Sequence, residues 1–145
     1  MTVKSLYCNR CRFRLSAPLT LVSGKDPAVE APHVRVGKAL IERGIAYKSW
    51  KLMPWFYISK GHPLDFVPQM WMNPDDLEDR VSDTPNSNLL GGCSGPTGMD
   101  GPNKVCECKA HVGTLQADCS TPIVFISDPA TTIWREGSAD FWDYP

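Results

Sequence analysis

Several things are missing from this 145-residue sequence, and each absence excludes a class of protein. No stretch approaches the ~20 consecutive apolar residues that a membrane-spanning helix needs, so no membrane partner is expected. Only three histidines occur, His33, His62 and His111, and none stands in the His-Glu-x-x-His spacing of a zinc hydrolase. The glycine-rich stretch 86–103 is not followed by the Gly-Lys-Ser/Thr of a phosphate loop; Lys104 comes after Pro102-Asn103 instead, and the prolines there point to tight turns. No apolar run precedes Cys8, which predicts a chain that is not exported and works in the cytoplasm. No paired carboxylates suggest acid/base chemistry: Asp75, Asp76, Glu78 and Asp79 read as a solvated helix face. No catalytic residues are therefore assigned.

Thirteen prolines and eleven glycines leave little room for long helices and call for many turns and short strands. The expected fold class is mainly β (α+β with short helices), in a single domain spanning 1–145. Strands are predicted from Leu6 into the first cysteine pair, over Leu19–Val22, once or twice within 45–58, over Phe66–Met72 and over Pro122–Ser127. Val34–Arg43 is ambiguous: Val34, Gly37 and Ile41 share a helical face that favours a short helix, while Val34 and Val36 alternate as in a strand. Asn73-Pro74-Asp75-Asp76 has the cap, proline and acids of a helix start, and Asp128-Pro129 repeats the cap and proline.

Charge is unevenly distributed along the chain. Residues 1–60 carry eleven Lys/Arg against three acids, and residues 61–145 carry four against thirteen, so +8 faces −9. Either the halves pack together and the charges mix, or the molecule has a basic and an acidic face that steers charged partners.

What the chain does have is cysteine. Of six, four form two close pairs about a hundred residues apart, Cys8/Cys11 and Cys106/Cys108. In a reducing compartment such pairs read as metal ligands before disulfides. Together they can surround one tetrahedral zinc ion and close the ends of the domain on each other. The site would be structural, since four thiolates leave no open position. Arg10, Arg12, Arg14, Lys104 and Lys109 lie near enough in sequence to offset its negative charge. Cys93 and Cys119 are left over. They are secondary metal candidates with His111, and the alternatives are a disulfide between them or substitution for one of the four ligands.

The two pairs are alike beyond their thiols. Cys8-Asn9-Arg10-Cys11-Arg12-Phe13-Arg14-Leu15-Ser16 and Cys106-Glu107-Cys108-Lys109-Ala110-His111-Val112-Gly113-Thr114 each follow the thiols with a basic, an apolar and a small polar position. This resembles the knuckle pair of a zinc ribbon or rubredoxin-like site, with knuckles at 6–16 and 104–114, a long insertion over 17–103, and a C-terminal strand and tail over 115–145. It departs from that pattern in the single residue between Cys106 and Cys108, and in Arg12 and Lys109, where glycine is usual. The segment Leu90 to Asn103, with Cys106 and Asp118-Cys119 behind it, also resembles a pattern in small Cys-rich bacterial proteins of no assigned activity. Those show Cys-Cys where this chain has Gly92-Cys93. That likeness implies a cytosolic bacterial protein and transfers no catalytic residues.

Three functions follow as expectations. The first is a non-enzymatic, zinc-stabilised module that binds another protein, for instance one that masks its partner as the immunity proteins of bacterial toxins do; Phe141, Trp142 and Tyr144, set among acids, are the candidate contacts. The second is a nucleic-acid-binding zinc ribbon, suggested by Arg10, Arg12, Phe13 and Arg14 and by Lys48, Trp50, Lys51 and Trp55. The third is a zinc-dependent enzyme using Cys93, His111 or Cys119.

Overall fold

The structure, a computed structural model, describes residues 2–136. It is mainly β: nine strands in one curled sheet, with no α-helix among the described residues. In chain order they are β1 Thr2–Cys8, β2 Leu19–Ser23, β3 Ile45–Ser49, β4 Gln69–Met72, β5 Ser82–Asp83, β6 Lys104–Val105, β7 His111–Gln116, β8 Val124–Ser127 and β9 Thr132–Arg135. Their order across the sheet is β5-β6-β7-β8-β4-β3-β2-β1-β9. Every pairing is antiparallel except β2 with β3.

Alternation along the central strands gives the sheet two buried faces, as period-2 geometry requires. Ala46, Met70, Met72 and Phe125 point to one core with Leu6, Leu15, Leu19 and the cysteines Cys8 and Cys106. Their neighbours Ile45, Tyr47, Trp71, Val124 and Ile126 point to a second core, with Leu40, Met53 and Leu64. The first core carries the metal-ligand candidates. The second is covered by loops that the sheet recruits.

Those loops hold two departures from expectation. Residues 34–43 do not form a helix. Leu40 and Gly37 donate to the carbonyls of Ile123 and Thr121, and Ile123 donates back to Lys38. The segment thus satisfies its backbone against the chain entering β8, with Gly37 at φ 76°. Tertiary pairing outweighs the weak helical pattern that glycine already undercuts. Residues 45–58 give one strand. The Ser49 hydroxyl donates to the Lys51 carbonyl at 2.6 Å and accepts from the Lys51 amide at 3.3 Å, turning the chain out of the ladder. Trp55, Phe56 and Ile58 then pack back on the second core. Likewise β4 starts at Gln69 and not at Phe66, because Pro68 has no amide proton to give a ladder. The expected helix at Asn73 is one 3₁₀ turn, Pro74–Asp76, with the Asn73 side chain accepting from the Asp75 amide.

The unlike charges of the two halves do meet. Arg14 grips Glu78 with Nη2–Oε1 at 2.8 Å, and Arg43 reaches the buried Asp76 at 3.1 Å. Mixing of charge is the better description of these contacts. Arg14 and Lys104, both expected near the thiols, are thus each paired with a carboxylate, Lys104 with Asp83 at 2.9 Å.

Candidate metal centre

Cys8 ends β1, and Cys106 and Cys108 lie in the turn from β6 to β7. Four strands separate β1 from β7 in the sheet, so the thiols meet only because the sheet curls. The turn after β8 joins the two edges of that curl: the Thr131 carbonyl accepts from the Asn9 amide at 2.8 Å, while the Thr131 hydroxyl donates to the His111 carbonyl at 2.7 Å. From there β9 pairs with β1. The first knuckle is thereby fastened to the start of β7, beside the second.

Each knuckle is a tight hairpin with its own hydrogen bonds. In the first, Arg12 donates to the Cys8 carbonyl at 2.8 Å and Cys8 donates to Phe13 at 2.9 Å. In the second, Lys109 donates to Cys106 at 2.8 Å and Cys106 donates to Ala110 at 2.9 Å. The second loop is one residue shorter, yet its closing bonds are equivalent. A missing residue between Cys106 and Cys108 therefore does not disqualify the pair. Arg12 and Lys109 have φ 68° and 75°, the left-handed region that a hairpin of this kind needs at its last position. They are the only non-glycine residues at positive φ among those described. The sequence departs from glycine at these two places, but the backbone does not.

That strain gives a stability prediction. A non-glycine residue in the left-handed region costs about 1–2 kcal/mol, against about 0.5–1 kcal/mol of extra chain entropy for glycine. Arg12→Gly and Lys109→Gly should each raise the denaturation midpoint, by an amount equivalent to about 0.5–1 kcal/mol, provided the metal remains bound. A lowered midpoint with metal retained would mean that the two cations contribute more than the strain costs.

The four sulfurs lie within 4.8 Å of one another. Cys8 Sγ is 3.6 Å from Cys108 Sγ, and Cys11 Sγ is 3.5 Å from Cys106 Sγ. An ion bound by four thiolates at about 2.3 Å sets sulfur–sulfur edges of about 3.8 Å, so the cluster needs almost no adjustment to hold one. Cys8 and Cys106 are fully buried, while Cys11 and Cys108 are half-exposed at the rim. Burial pushes the Cys106 thiol far up, with added hindrance from the neighbouring sulfurs, and it raises Cys11. At Cys108 burial acts the same way, but the Ala110 amide and bonds from the other three thiols outweigh it and lower the value. Without a cation these thiols cannot all ionise together, since each new thiolate opposes the next. A divalent metal ion removes that opposition, and the donor set fits one.

The secondary candidates go elsewhere. Cys93 and Cys119 are bonded to each other as a disulfide with Cα atoms 6.2 Å apart. His111 joins neither group of thiols; its Nε2 faces the Thr84 hydroxyl at 3.0 Å. The residue that joins Cys93 and Cys119 is Asp118, missed from sequence because a lone aspartate carries no spacing signal. Gly92 also gains a reason. A Cβ there would fall on the Gly95 carbonyl oxygen, so this loop cannot carry a side chain at position 92 without changing shape. Phe141, Trp142 and Tyr144 lie outside the described residues. No family model, curated protein or solved structure matches this chain.

The aromatic residues considered for nucleic acid are mostly engaged. The Arg80 guanidinium covers Phe13 at 4.3 Å, Lys25 and Lys48 lie over Trp50 at 3.7 and 4.8 Å, and Trp55 donates to the buried Gln116 at 2.8 Å.

Proposed function

We propose that this chain is a cytoplasmic, zinc-stabilised module of the zinc-ribbon type that acts by binding another protein and not by catalysis. The observation that carries the reading is the closed donor set. Cys8, Cys11, Cys106 and Cys108 supply every position of a tetrahedral ion, leaving none for substrate, and they join chain segments about a hundred residues apart. Zinc suits four thiolates and needs no redox partner. The metal's contribution is architectural, so function lies on the surfaces it organises.

One surface suits a protein partner. Pro32, Val34, Tyr47, Trp50, Leu52 and Pro54 line a groove of about 290 Å³ on the second-core side of the sheet. Lys51 is at its edge, and Lys25 and Lys48 hold the Trp50 ring in place. An aromatic floor with a cationic rim fits an acidic partner surface that presents an apolar side chain. An inhibitor masking another protein, as immunity proteins do, would use such a face. The nucleic-acid reading has less support, because Phe13 and Trp55, two of the aromatics it needs for stacking, are engaged by Arg80 and Gln116.

The test is affinity capture by the zinc-loaded chain, followed by titration of the purified partner against wild type and Trp50→Ala. A tryptophan at the centre of an interface is worth about 2 kcal/mol or more, so binding should weaken about 30-fold or more. Nuclease-sensitive material eluting steeply with salt would overturn the reading in favour of nucleic acid.

A further inference from the structure

The Cys93–Cys119 pair lies on the surface, away from the four-cysteine cluster, and it is built with care. Both cysteines are exposed, while Asp118 between them is 5% exposed. The Asp118 Oδ1 accepts from the amides of Cys93 at 2.7 Å and Ser94 at 3.0 Å, and its Oδ2 accepts from the Ser120 hydroxyl at 3.0 Å. The Ser94 amide, helped by those of Cys119 and Cys93 and by the Ser120 hydroxyl, outweighs burial and keeps the carboxyl below its usual range. The loop is also fixed without the sulfurs. Thr97 donates to Gly91 at 3.0 Å and Ala117 donates to Pro96 at 2.9 Å, with Gly95 pressed on the Ala117 backbone. Breaking the sulfur–sulfur bond would therefore leave Cys93 and Cys119 facing each other over a carboxylate. One ligand atom from each of the three residues lies within 4.8 Å of the others.

We propose that Cys93, Asp118 and Cys119 form a second metal site gated by redox state, shut as the disulfide and zinc-binding as the dithiol. Two thiolates and one carboxylate are three protein ligands for a soft-to-borderline cation, with the fourth tetrahedral position open to water or to a donor from elsewhere. The gate balances simply. A dithiol reductant attacks one sulfur of the pair, passes through a mixed disulfide, and leaves as its own cyclic disulfide; Cys93 and Cys119 each gain a proton. Zinc binding then displaces both protons. The reductant is a dithiol of the class that keeps thiols reduced in the cytosol. The two sites differ in kind: the first has four thiols, two of them buried in the core, and no open position, while the second is open and exposed at a loop.

The experiment is zinc stoichiometry of the full chain, with one sample in the Cys93–Cys119 disulfide form, confirmed by four titratable thiols in a denatured, chelator-treated aliquot, and one reduced anaerobically with a dithiol. Both are washed free of reagent, titrated with zinc alone and assayed by elemental analysis. Reduction should add one zinc per chain, and Cys93→Ser should abolish that increment without touching the first metal. Asp118→Asn, which keeps the Oδ1 acceptor for the Cys93 and Ser94 amides, should weaken the second zinc about tenfold or more. Cobalt substitution, read from its thiolate charge-transfer bands, reports the four-thiolate site separately in every variant and so shows that each is folded. Equal stoichiometry in the oxidised and reduced wild type would overturn the proposal. So would an increment that survives Cys93→Ser, or unchanged affinity in Asp118→Asn. The increment reads this site even if the four-cysteine cluster holds some other metal.

Discussion

Cys11→Ser and Cys106→Ser are each expected to lose the metal and to leave the chain unfolded at room temperature, whereas the wild type is expected to carry one metal ion in the four-cysteine site. Apparent binding energies for structural zinc in small peptides are about 10–16 kcal/mol at neutral pH, as large as the whole stability of a domain of this size, about 5–15 kcal/mol. Removing one ligand from a closed site forfeits most of that. Packing alone would predict something different for the two variants. Cys106 is 1% exposed and sits in the first core, where a hydroxyl without a partner costs about 1–3 kcal/mol. Cys11 is half-exposed at the rim, where the same change should cost little. If the cysteines were merely small apolar residues, Cys106→Ser would be destabilised and Cys11→Ser nearly neutral. If they ligate metal, the two fail together. Elemental analysis with circular dichroism on both variants, and on wild type treated with a strong chelator, separates the cases. A folded, metal-free wild type with four titratable thiols would sink the staple and the proposed function with it.

Gly113→Ala should be the most damaging single methyl group that can be added to the sheet, costing about 3 kcal/mol or more. Gly113 lies on β7 between β6 and β8, opposite Lys104 on one side and Ser127 on the other. A Cβ there would overlap the tip of the Phe125 ring and come within 2.5 Å of the Ile126 carbonyl oxygen. The ring can retreat only into a packed core, since Phe125 is fully buried, and the carbonyl belongs to the β8 ladder and cannot move alone. Overpacking typically costs about 1–3 kcal/mol and more where backbone must shift. Denaturation of the zinc-loaded protein measures it. Phe125→Leu should recover part of the loss in the double variant, because the two sites share one space. A Gly113→Ala protein as stable as wild type would mean that β7 and β8 do not pair in this register.

The same residues show how far the sequence reaches. The four-thiol cluster was legible because its signal is local: two thiols one or two residues apart read as a knuckle, and the structure brings the two such pairs together. The mainly β class was legible from proline and glycine. Single strands such as Val124–Ser127 stood out because a strand buried on both faces has no polar alternation to blur it. The helix expected at 34–43 failed because its pattern was weak and its partner, the chain entering β8, is about eighty residues away in sequence. The strands His111–Gln116 and Thr132–Arg135 went unseen because each owes its place to a neighbour across the sheet. The left-handed backbone at Arg12 and Lys109 was hidden for the opposite reason. The residue types advise against it, and the hairpins impose it.

Asp118 marks the limit most clearly. In sequence it is an aspartate next to a spare cysteine; in space it accepts from the Cys93 and Ser94 amides, ties the 91–98 loop to the end of β7 and lies beside the disulfide. The four clustered thiols were readable from residue types and short spacings, because ligand chemistry is local. Which groups meet, Asp118 with Cys93 and Cys119 included, follows from the fold. The curl that brings β1 to β7, and the loop that brings Cys93 to Cys119, are set by pairings between distant strands and by buried backbone polar groups that must each find a partner.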